Sequence, residues 1–424
     1  TPAGQLLRRY WQPAALAEEL PEGGAPLPIR LLGEDLVLFR TEGDRAQVPG
    51  DRGDDRARST QHSGLSTTYG LLGLHCSHRG ADLSYGRLED GGLRCIYHGW
   101  LYDIRGRCLE QPGEPASSTF HEKIQHRAYP CVEAGGLILA YLGPGEAPLL
   151  PAYEFLTAPP EKHFVSKVFQ ECNYLQGNEG NIDPVHHSFL HLRFGDDEDS
   201  RFNWYGNDRN PIIEAEETDF GVRVYAVRRI DDGRNYVKIT NFIYPNLSAI
   251  TGDADGYGVN WHVPIDDTHH WKYNLTFRRT QPLNGRFRQA APAATEQPLP
   301  RYYPVRNQGN RYLQDREEMV DRTFAGLAMD FQGQDGCVTE GAGPIQDRTQ
   351  EHFGSTDIGI MTARKALIRA IRQVEAGNEA PHVVRDSSAN RFPEIGARKD
   401  VVPAGVDWHT YWHDLIAEPV AAAH

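Results

Sequence analysis

The chain has 424 residues, enough for two domains that each bury a core, and its 39% hydrophobic and 24% charged residues are those of an ordinary folded enzyme. A formal net charge of -14 argues against a nucleic-acid surface, which needs a basic face to meet phosphates. No apolar run approaches the roughly 18 residues of a membrane span, and the first turn is amphipathic with Arg8 and Arg9. The reading is therefore a cytoplasmic protein with no membrane segment and no leader. The six cysteines, Cys76, Cys95, Cys108, Cys131, Cys172 and Cys337, read as thiols or metal ligands rather than a disulfide framework.

In chain order, an amphipathic helix is predicted over 4–11, followed by short strands broken by Gly and Pro, of which 36–39 and 137–141 are examples. The polar stretch 41–68 reads as a surface loop. A Gly/Pro-rich run at 142–148 marks a boundary, so residues 1–150 form an all-β domain and 151–424 a second one. There, 176–192 reads as a helix interrupted by Pro184, and the alternation at 222–227 and 259–263 as strands of an antiparallel sheet. A Pro/Ala-rich connector over 290–304 leads to helices predicted over 310–329 and 357–374. The fold class is α+β, with helices packed on an antiparallel sheet.

Cys76-Ser77-His78 and Cys95-Ile96-Tyr97-His98 form C-x-H and C-x-x-H pairs separated by residues 79–94. A [2Fe–2S] cluster of the Rieske type, with two thiolates on one iron and two imidazoles on the other, needs such mixed pairs from two loops. Gly80 and Gly99 directly follow each pair, as tight ligand loops require, and Trp100 is placed to cover the cluster. A zinc site draws on the same residue types, but usually as C-x-x-C and H-x3-5-H pairs.

The second constellation is Asp183-Pro-Val-His186-His187-Ser-Phe-Leu-His191. Two imidazoles and one carboxylate on one face of Fe(II) leave positions open for O2 and substrate. Spacing favours His187 with His191, which are i, i+4 and share a face of a regular helix. His186 and His191 are i, i+5 and meet only if the helix is irregular or broken between them. Candidates for the carboxylate are Asp330, Asp335, Asp347 and Asp357, any of which could instead cap a helix.

With these motifs the chain resembles the phthalate dioxygenase-like group of Rieske non-haem iron aromatic ring-hydroxylating oxygenases, whose D-x-x-H-x4-H pattern falls on Asp183, His186 and His191. The resemblance covers nearly the whole chain except 41–68. It implies a Rieske domain followed by a helix-grip catalytic domain, cluster ligands Cys76, His78, Cys95 and His98, and iron ligands His186, His191 and Asp335. It gives Asp183 the task of holding an iron-ligating histidine and linking the two metal centres, a catalytic role at one remove from the iron. Glu179 departs from the pattern, since many relatives carry Asn there.

The implied activity is that of a terminal oxygenase hydroxylating an aromatic carboxylic acid by phthalate-like ring dihydroxylation, with O-demethylation of a methoxy-aromatic acid as the alternative. A Rieske electron carrier would need only the first 150 residues, and a zinc-binding protein would be colourless. No G-x-G-x-x-G follows a strand, so NADH is oxidised elsewhere, and the resemblance implies a separate flavin/iron–sulfur reductase as the electron donor. The group also implies a homotrimer or a dimer of trimers, with the cluster of one subunit serving the iron of its neighbour. An acid substrate needs a local cation, and Arg228 interrupts the apolar row Val222, Val224, Ala226 and Ile230, making it a candidate anchor beside the alternative of a structural arginine.

Overall fold

The structure is a computed structural model that describes residues 1–41, 69–194, 200–252, 255–283, 285, 295–296 and 302–417. The predicted loop beyond Thr41 and most of the predicted connector lie outside them. The chain divides into two compact units, one mainly Ala3–Ala152 with Val383–Asn390, the other Tyr153–His382 with the chain from Arg391 onward. The return of 383–390 to the first unit has no counterpart in the division drawn at 150/151. It is fastened by Leu149 N–H donating to Val384 O at 2.9 Å and Ala152 N–H donating to Asn390 Oδ1 at 2.8 Å.

The first unit opens with helix α1 (Pro2–Leu7), capped by Thr1, whose hydroxyl accepts from Gly4 N–H at 3.1 Å. The helix is shorter than its amphipathic pattern predicts. Trp11 already begins β1 (Trp11–Leu16), because it pairs with Tyr141 and its indole donates to Pro148 O at 3.0 Å. Short antiparallel strands follow: β2 (Leu27–Leu31), β3 (Glu34–Arg40), β4 (Tyr69–Gly73), β5 (Arg87–Glu89), β6 (Gly92–Arg94), β7 (Leu101–Tyr102), β8 (Cys108–Glu110), β9 (Ala128–Tyr129), β10 (Cys131–Ala134) and β11 (Leu137–Tyr141). They form sheets ordered β1-β11-β10, β2-β3-β4-β9 and β5-β6-β7-β8. Val37, Phe39, Leu72, Leu93 and Tyr102 share one core with Cys76 and Cys95, so both cysteines are fixed from behind by apolar packing.

The second unit is built on an eight-stranded antiparallel sheet. Its strands are β12 (His163–Gln170), β13 (Ile212–Thr218), β14 (Gly221–Asp231), β15 (Arg234–Ile243), β16 (Leu247–Ile250), β17 (Gly258–Pro264) and β18 (His270–Phe277), with Arg398–Pro403 pairing beside β15. The order is β12-β18-β17-β16-β15-β14-β13. The helices are α2 (Glu154–Thr157), α3 (Tyr174–Gly180), α4 (Ser200–Asn207), α5 (Glu318–Asp321), α6 (Phe331–Gly341), α7 (Ile358–Glu375) and α8 (Trp408–Ala417). Helix α7 lies on β13 and β14, and Trp412 of α8 packs with Tyr225, Val237 and Val402. The N-terminal β domain and the helix-on-antiparallel-sheet domain expected from the sequence are both present.

In this unit two predicted helices fail, and one helix forms that the sequence pattern does not predict. The helix predicted over 176–192 ends at Gly180, and His186–Ser188 form a single 3-10 turn, since Pro184 bars a continuing helix. The helix predicted over 310–329 is a kinked turn with Arg311, Tyr312 and Leu313 in left-handed conformations, then the one-turn α5. Helix α6 was not anticipated. Gly333, Gly336 and Gly341 weaken its pattern, yet Asp330 caps it by accepting from Gly333 N–H at 3.0 Å.

Two candidate metal centres

In the first unit, two loops of matching geometry carry the C-x-H and C-x-x-H pairs. Cys76 N–H donates to Ala81 O at 2.8 Å and Gly80 N–H to Cys76 O at 2.9 Å; Cys95 N–H donates to Trp100 O at 2.9 Å and Gly99 N–H to Cys95 O at 3.0 Å. Closing each loop requires a left-handed residue, supplied by Gly80 at φ 74° and Gly99 at φ 75°. The thiols are buried, at 3% exposure for Cys76 and 2% for Cys95, while His78 is exposed and His98 half-buried. The imidazole rings of His78 and His98 lie 4.3 Å apart between centroids, and Trp100 stacks on His78 at 4.6 Å. Burial raises the Cys76 thiol, against which Tyr102, its hydroxyl 3.2 Å from Sγ, works to lower it. Two buried sulfurs backed by the core and two imidazoles at the rim are a donor set that would hold a [2Fe–2S] cluster, Cys76 and Cys95 through sulfur and His78 and His98 through nitrogen.

The Gly99 end of the second loop is also supported from outside. Arg94 donates to Gly99 O at 2.7 Å while its other nitrogens meet Glu89 at 2.5 Å and Glu110 at 2.7 Å.

In the second unit, His186, His191 and Asp335 converge. The Nε2 atoms of His186 and His191 are 3.1 Å apart, and Asp335 Oδ1 lies 3.2 Å from His191 Nε2 and 4.0 Å from His186 Nε2. Hydrogen bonds on the far sides assign the tautomers. Gln334 donates to Ala328 O at 2.5 Å, so its Oε1 is turned to accept from His191 Nδ1 at 2.5 Å. Asp183 Oδ2 lies 3.4 Å from His186 Nδ1. When both imidazoles are neutral, two nitrogen lone pairs and a carboxylate oxygen therefore face one another. Donors held by bonds of about 2.0–2.2 Å to one ion sit close to 3 Å apart, so the donor set fits one metal.

His187 belongs to the same cluster, with donor atoms of His186, His187 and His191 all within 4.8 Å of one another. Its nitrogens are engaged elsewhere, however. Lys238 Nζ donates to Nε2 at 2.7 Å, and Nδ1 faces Pro184 O at 3.3 Å. Burial, then the charge of Lys238, holds the His187 imidazole well below its ordinary pKa, and burial pushes Lys238 down to about 7. The spacing argument for His187 presumed a helix that Pro184 prevents.

Burial would raise the Asp335 carboxyl, but the His191 hydrogen bond and the charges of His191, Lys272 and His186 hold it far below the usual carboxylate range. Asp183 is lowered by the same opposition, burial against His186 and the Val185 N–H, which donates to Oδ1 at 2.8 Å. The rival carboxylates are all caps: Asp330 for α6, Asp347 for Thr349 N–H at 3.0 Å, and Asp357 for Gly354 N–H at 2.7 Å. Glu179 is committed to Arg348 at 3.0 Å and Arg364 at 2.5 Å.

A cavity of about 230 Å³ opens beside Asp183, His186 and Asp335. Arg228 does not line it, which corrects the substrate anchor read from β14. Its guanidinium is fully buried, donates to Pro184 O at 2.6 Å and Ser188 Oγ at 3.2 Å, and sits 4.8 Å over Tyr205. It braces the turn that carries His186. Residues that the sequence did not single out include Gln334 behind His191, Lys238 behind His187, and Lys272 in the cavity wall. A relay also runs from Asn260 to Asn181 (2.6 Å), Asn181 to His262 (2.8 Å), His262 to His270 (2.9 Å) and His270 to Cys172 O (2.7 Å). Helix α3 approaches this relay so closely that a Cβ on Gly177 would fall 2.6 Å from His262 Nδ1.

The Rieske [2Fe-2S] domain family matches residues 10–121, and the family described as LigXa C-terminal domain like matches residues 140–422. The chain belongs to the Rieske non-haem iron oxygenases, as an oxygenase subunit whose cofactors are a [2Fe-2S] cluster and Fe(2+). It is 33% identical to the phthalate 4,5-dioxygenase oxygenase subunit of Pseudomonas putida, over 100% of this chain and 96% of that one. It is 32% identical to the 5,5'-dehydrodivanillate O-demethylase oxygenase subunit of Sphingobium sp. strain NBRC 103272 / SYK-6, over 96% and 85%. The fold is shared with dicamba monooxygenase bound to dicamba, at a TM-score of 0.56 and 19% identity, covering 88% of this chain and 99% of that one. It is shared too with the oxygenase of a carbazole 1,9a-dioxygenase–ferredoxin complex, at 0.55 and 18%, covering 91% and 93%. No helix among the described residues is long and apolar enough to cross a membrane.

Proposed function

We propose that this oxygenase hydroxylates a single-ring aromatic carboxylic acid, with His186, His191 and Asp335 holding the iron and Cys76, His78, Cys95 and His98 the cluster. The observation that carries the reading is the convergence of His186, His191 and Asp335 beside a cavity of about 230 Å³, room for one ring. The iron, when bound, supplies reductive activation of O2 with electrons relayed through the cluster. The chain's own residues supply placement. Gln334 and Asp183 fix the two imidazoles by their Nδ1 atoms, Leu190 and Val338 give the ring an apolar wall, and Gly177 and Gly180 leave space for it. Electrons come from a separate reductase or ferredoxin. The subunits assemble as a homotrimeric ring or a dimer of such rings, in which His98 of one protomer reaches Asp183 of the next.

O-demethylation of a methoxy-benzoate is the second reading, favoured by the nearly equal identity to a dioxygenase and to an O-demethylase subunit. Incubating the holoenzyme with a surrogate reductase, NADH and a panel of benzoates, phthalates and methoxy-benzoates decides between them. A cis-dihydrodiol supports ring dihydroxylation, and formaldehyde with a phenol supports demethylation. Oxidation of none of these acids overturns the substrate class.

A further inference from the structure

The cavity wall is polar, yet most of its hydrogen-bonding groups are already used. Gln176 donates to Thr339 O and Gly343 O, both at 2.9 Å, and accepts from Gln346 N–H at 2.9 Å. Asn181 and His262 are consumed by the relay that ends on Cys172 O. Asp183 serves Val185 and His186. Lys272 is different. It is 5% exposed, it lines the cavity, and among the described residues its ammonium makes no side-chain hydrogen bond. Its counter-charge, Oδ2 of Asp335, stands 3.9 Å away, beyond hydrogen-bond range.

The sheet explains its position. Lys272 lies opposite Val168 on β12 and His262 on β17, and Gln170 lies opposite His270. Residues directly opposite one another share a face, so Lys272, His262, His270 and Gln170 all point to the α3 and α6 side. No other Lys or Arg is among the described lining residues. Among the described residues Gln170 Oε1 is also buried without a partner, but an acceptor cannot neutralise an anion. With a divalent iron at the triad, Asp183 and Asp335 offset the metal, and Lys272 remains as one unmatched positive charge facing the cavity. A buried ammonium in that state is stabilised by an anion that enters and hydrogen-bonds to it.

We propose that Lys272 is the specificity-determining residue of this oxygenase, binding the carboxylate of the substrate and so setting the ring against the face of His186 and Asp335. The inference rests on the proposed aromatic-acid chemistry and names the residue that recognises the acid. The competing role, a counter-ion that merely steadies Asp335, predicts different measurements.

The test is made on the iron- and cluster-loaded enzyme with three probes, benzoate, phthalate and 4-methoxybenzoate, and the neutral amides of each. Binding is measured by calorimetry without reductase, and KM and kcat are measured with it. Lys272→Met is expected to weaken binding of at least one acid by about ten- to a hundredfold, the loss of one charge-assisted hydrogen bond. It should leave amide binding and iron content unchanged, and Lys272→Arg should restore most of the loss. The proposal is overturned if wild-type enzyme binds the amides as tightly as the acids, or binds no acid. Equal losses for acids and amides in Lys272→Met, or loss of iron that Lys272→Arg repairs, overturn it in favour of the counter-ion role. Failure of the substrate class shows up separately, as acids that bind through Lys272 but are not oxidised.

Discussion

The ammonium of Lys238 lies 2.7 Å from Nε2 of His187, while Nε2 of the adjacent His186 looks across 3.1 Å at Nε2 of His191. Of two neighbouring histidines, one is tied to a lysine and the other is open to a metal. His186→Ala is therefore expected to lose mononuclear iron and turnover while keeping the visible absorbance of the cluster. His187→Ala should retain iron, at lower thermal stability because Lys238 loses its acceptor. Iron analysis of the two variants checks this, and the opposite pattern would reverse the assignment.

Tyr102 points its hydroxyl at Cys76 Sγ from within the core, at 3.2 Å. Hydrogen bonds to cluster sulfurs favour the reduced, more negative state. Tyr102→Phe should lower the reduction potential by roughly 40 mV, the one-electron equivalent of about 1 kcal/mol for one net hydrogen bond. Protein-film voltammetry reads the shift. An unchanged potential would show that the contact does not persist in the loaded protein.

Arg228 is braced against Pro184 O, Ser188 and Tyr205. Arg228→Gln should lower thermal stability and reduce turnover of acidic and neutral substrates alike. A KM effect confined to acids would return Arg228 to the role of anchor.

Burial lowers His270 from 6.5 to about 4, opposed by its bond to Cys172 O. Because the folded value is depressed, its contribution to stability is complete above the unfolded pKa and is lost as pH falls through about 4. The shift corresponds to about 3 kcal/mol across that window. Thermal denaturation of wild type should become steadily easier between pH 6.5 and 4. His270→Gln should be less stable at pH 8 but show a shallower acid slope. Parallel slopes would remove His270 from the account.

Asp183 gives Oδ1 to Val185 N–H and has a side chain 27% exposed, so its carboxylate has capacity for another donor. In the proposed ring that donor is His98 of the neighbouring protomer. His98→Ala and Asp335→Ala enzymes should each be inactive. Dissociated, mixed equally and reassembled, they should recover roughly a quarter of wild-type activity, the fraction of junctions joining an intact cluster to an intact iron site. Mixed rings that form but stay inactive would place electron transfer within one chain.

What the sequence revealed was the chemistry with strict spacing. Cys76, His78, Cys95 and His98 sit on short loops, and the glycines after each pair adopt the conformation their positions require. The strands at 222–227 and 259–263 followed from alternation and lie within β14 and β17. The failures arose where long-range contacts override local pattern. Nothing local shows that Pro184 leaves His186 free while Lys238, distant in sequence, takes His187. Nor does a run containing Gly333 and Gly336 announce a helix, although the Asp330–Gly333 cap was a legible sign of its start. Arg228 and Lys272 are both cations on buried strands; which one faces the cavity depends on how neighbouring elements cover each face, and only the assembled sheet shows that.

Helix α6 carries Asp335 on a backbone with two glycines in its interior, which together cost about 2 kcal/mol of helix stability relative to alanine. It is kept in place by its docking contacts, chiefly the buried Gln334 and the Tyr312–Glu340 bond. Such a segment is expected to open locally before the sheet does. In the proposed iron site each opening would withdraw the Asp335 carboxylate and leave two histidines, a weaker grip. Ageing of the purified enzyme should therefore begin as bleeding of iron through local opening, with the colour of the cluster and the overall fold still intact. Repacking the underside of this helix, rather than stiffening the sheet, is the route to an oxygenase that survives storage.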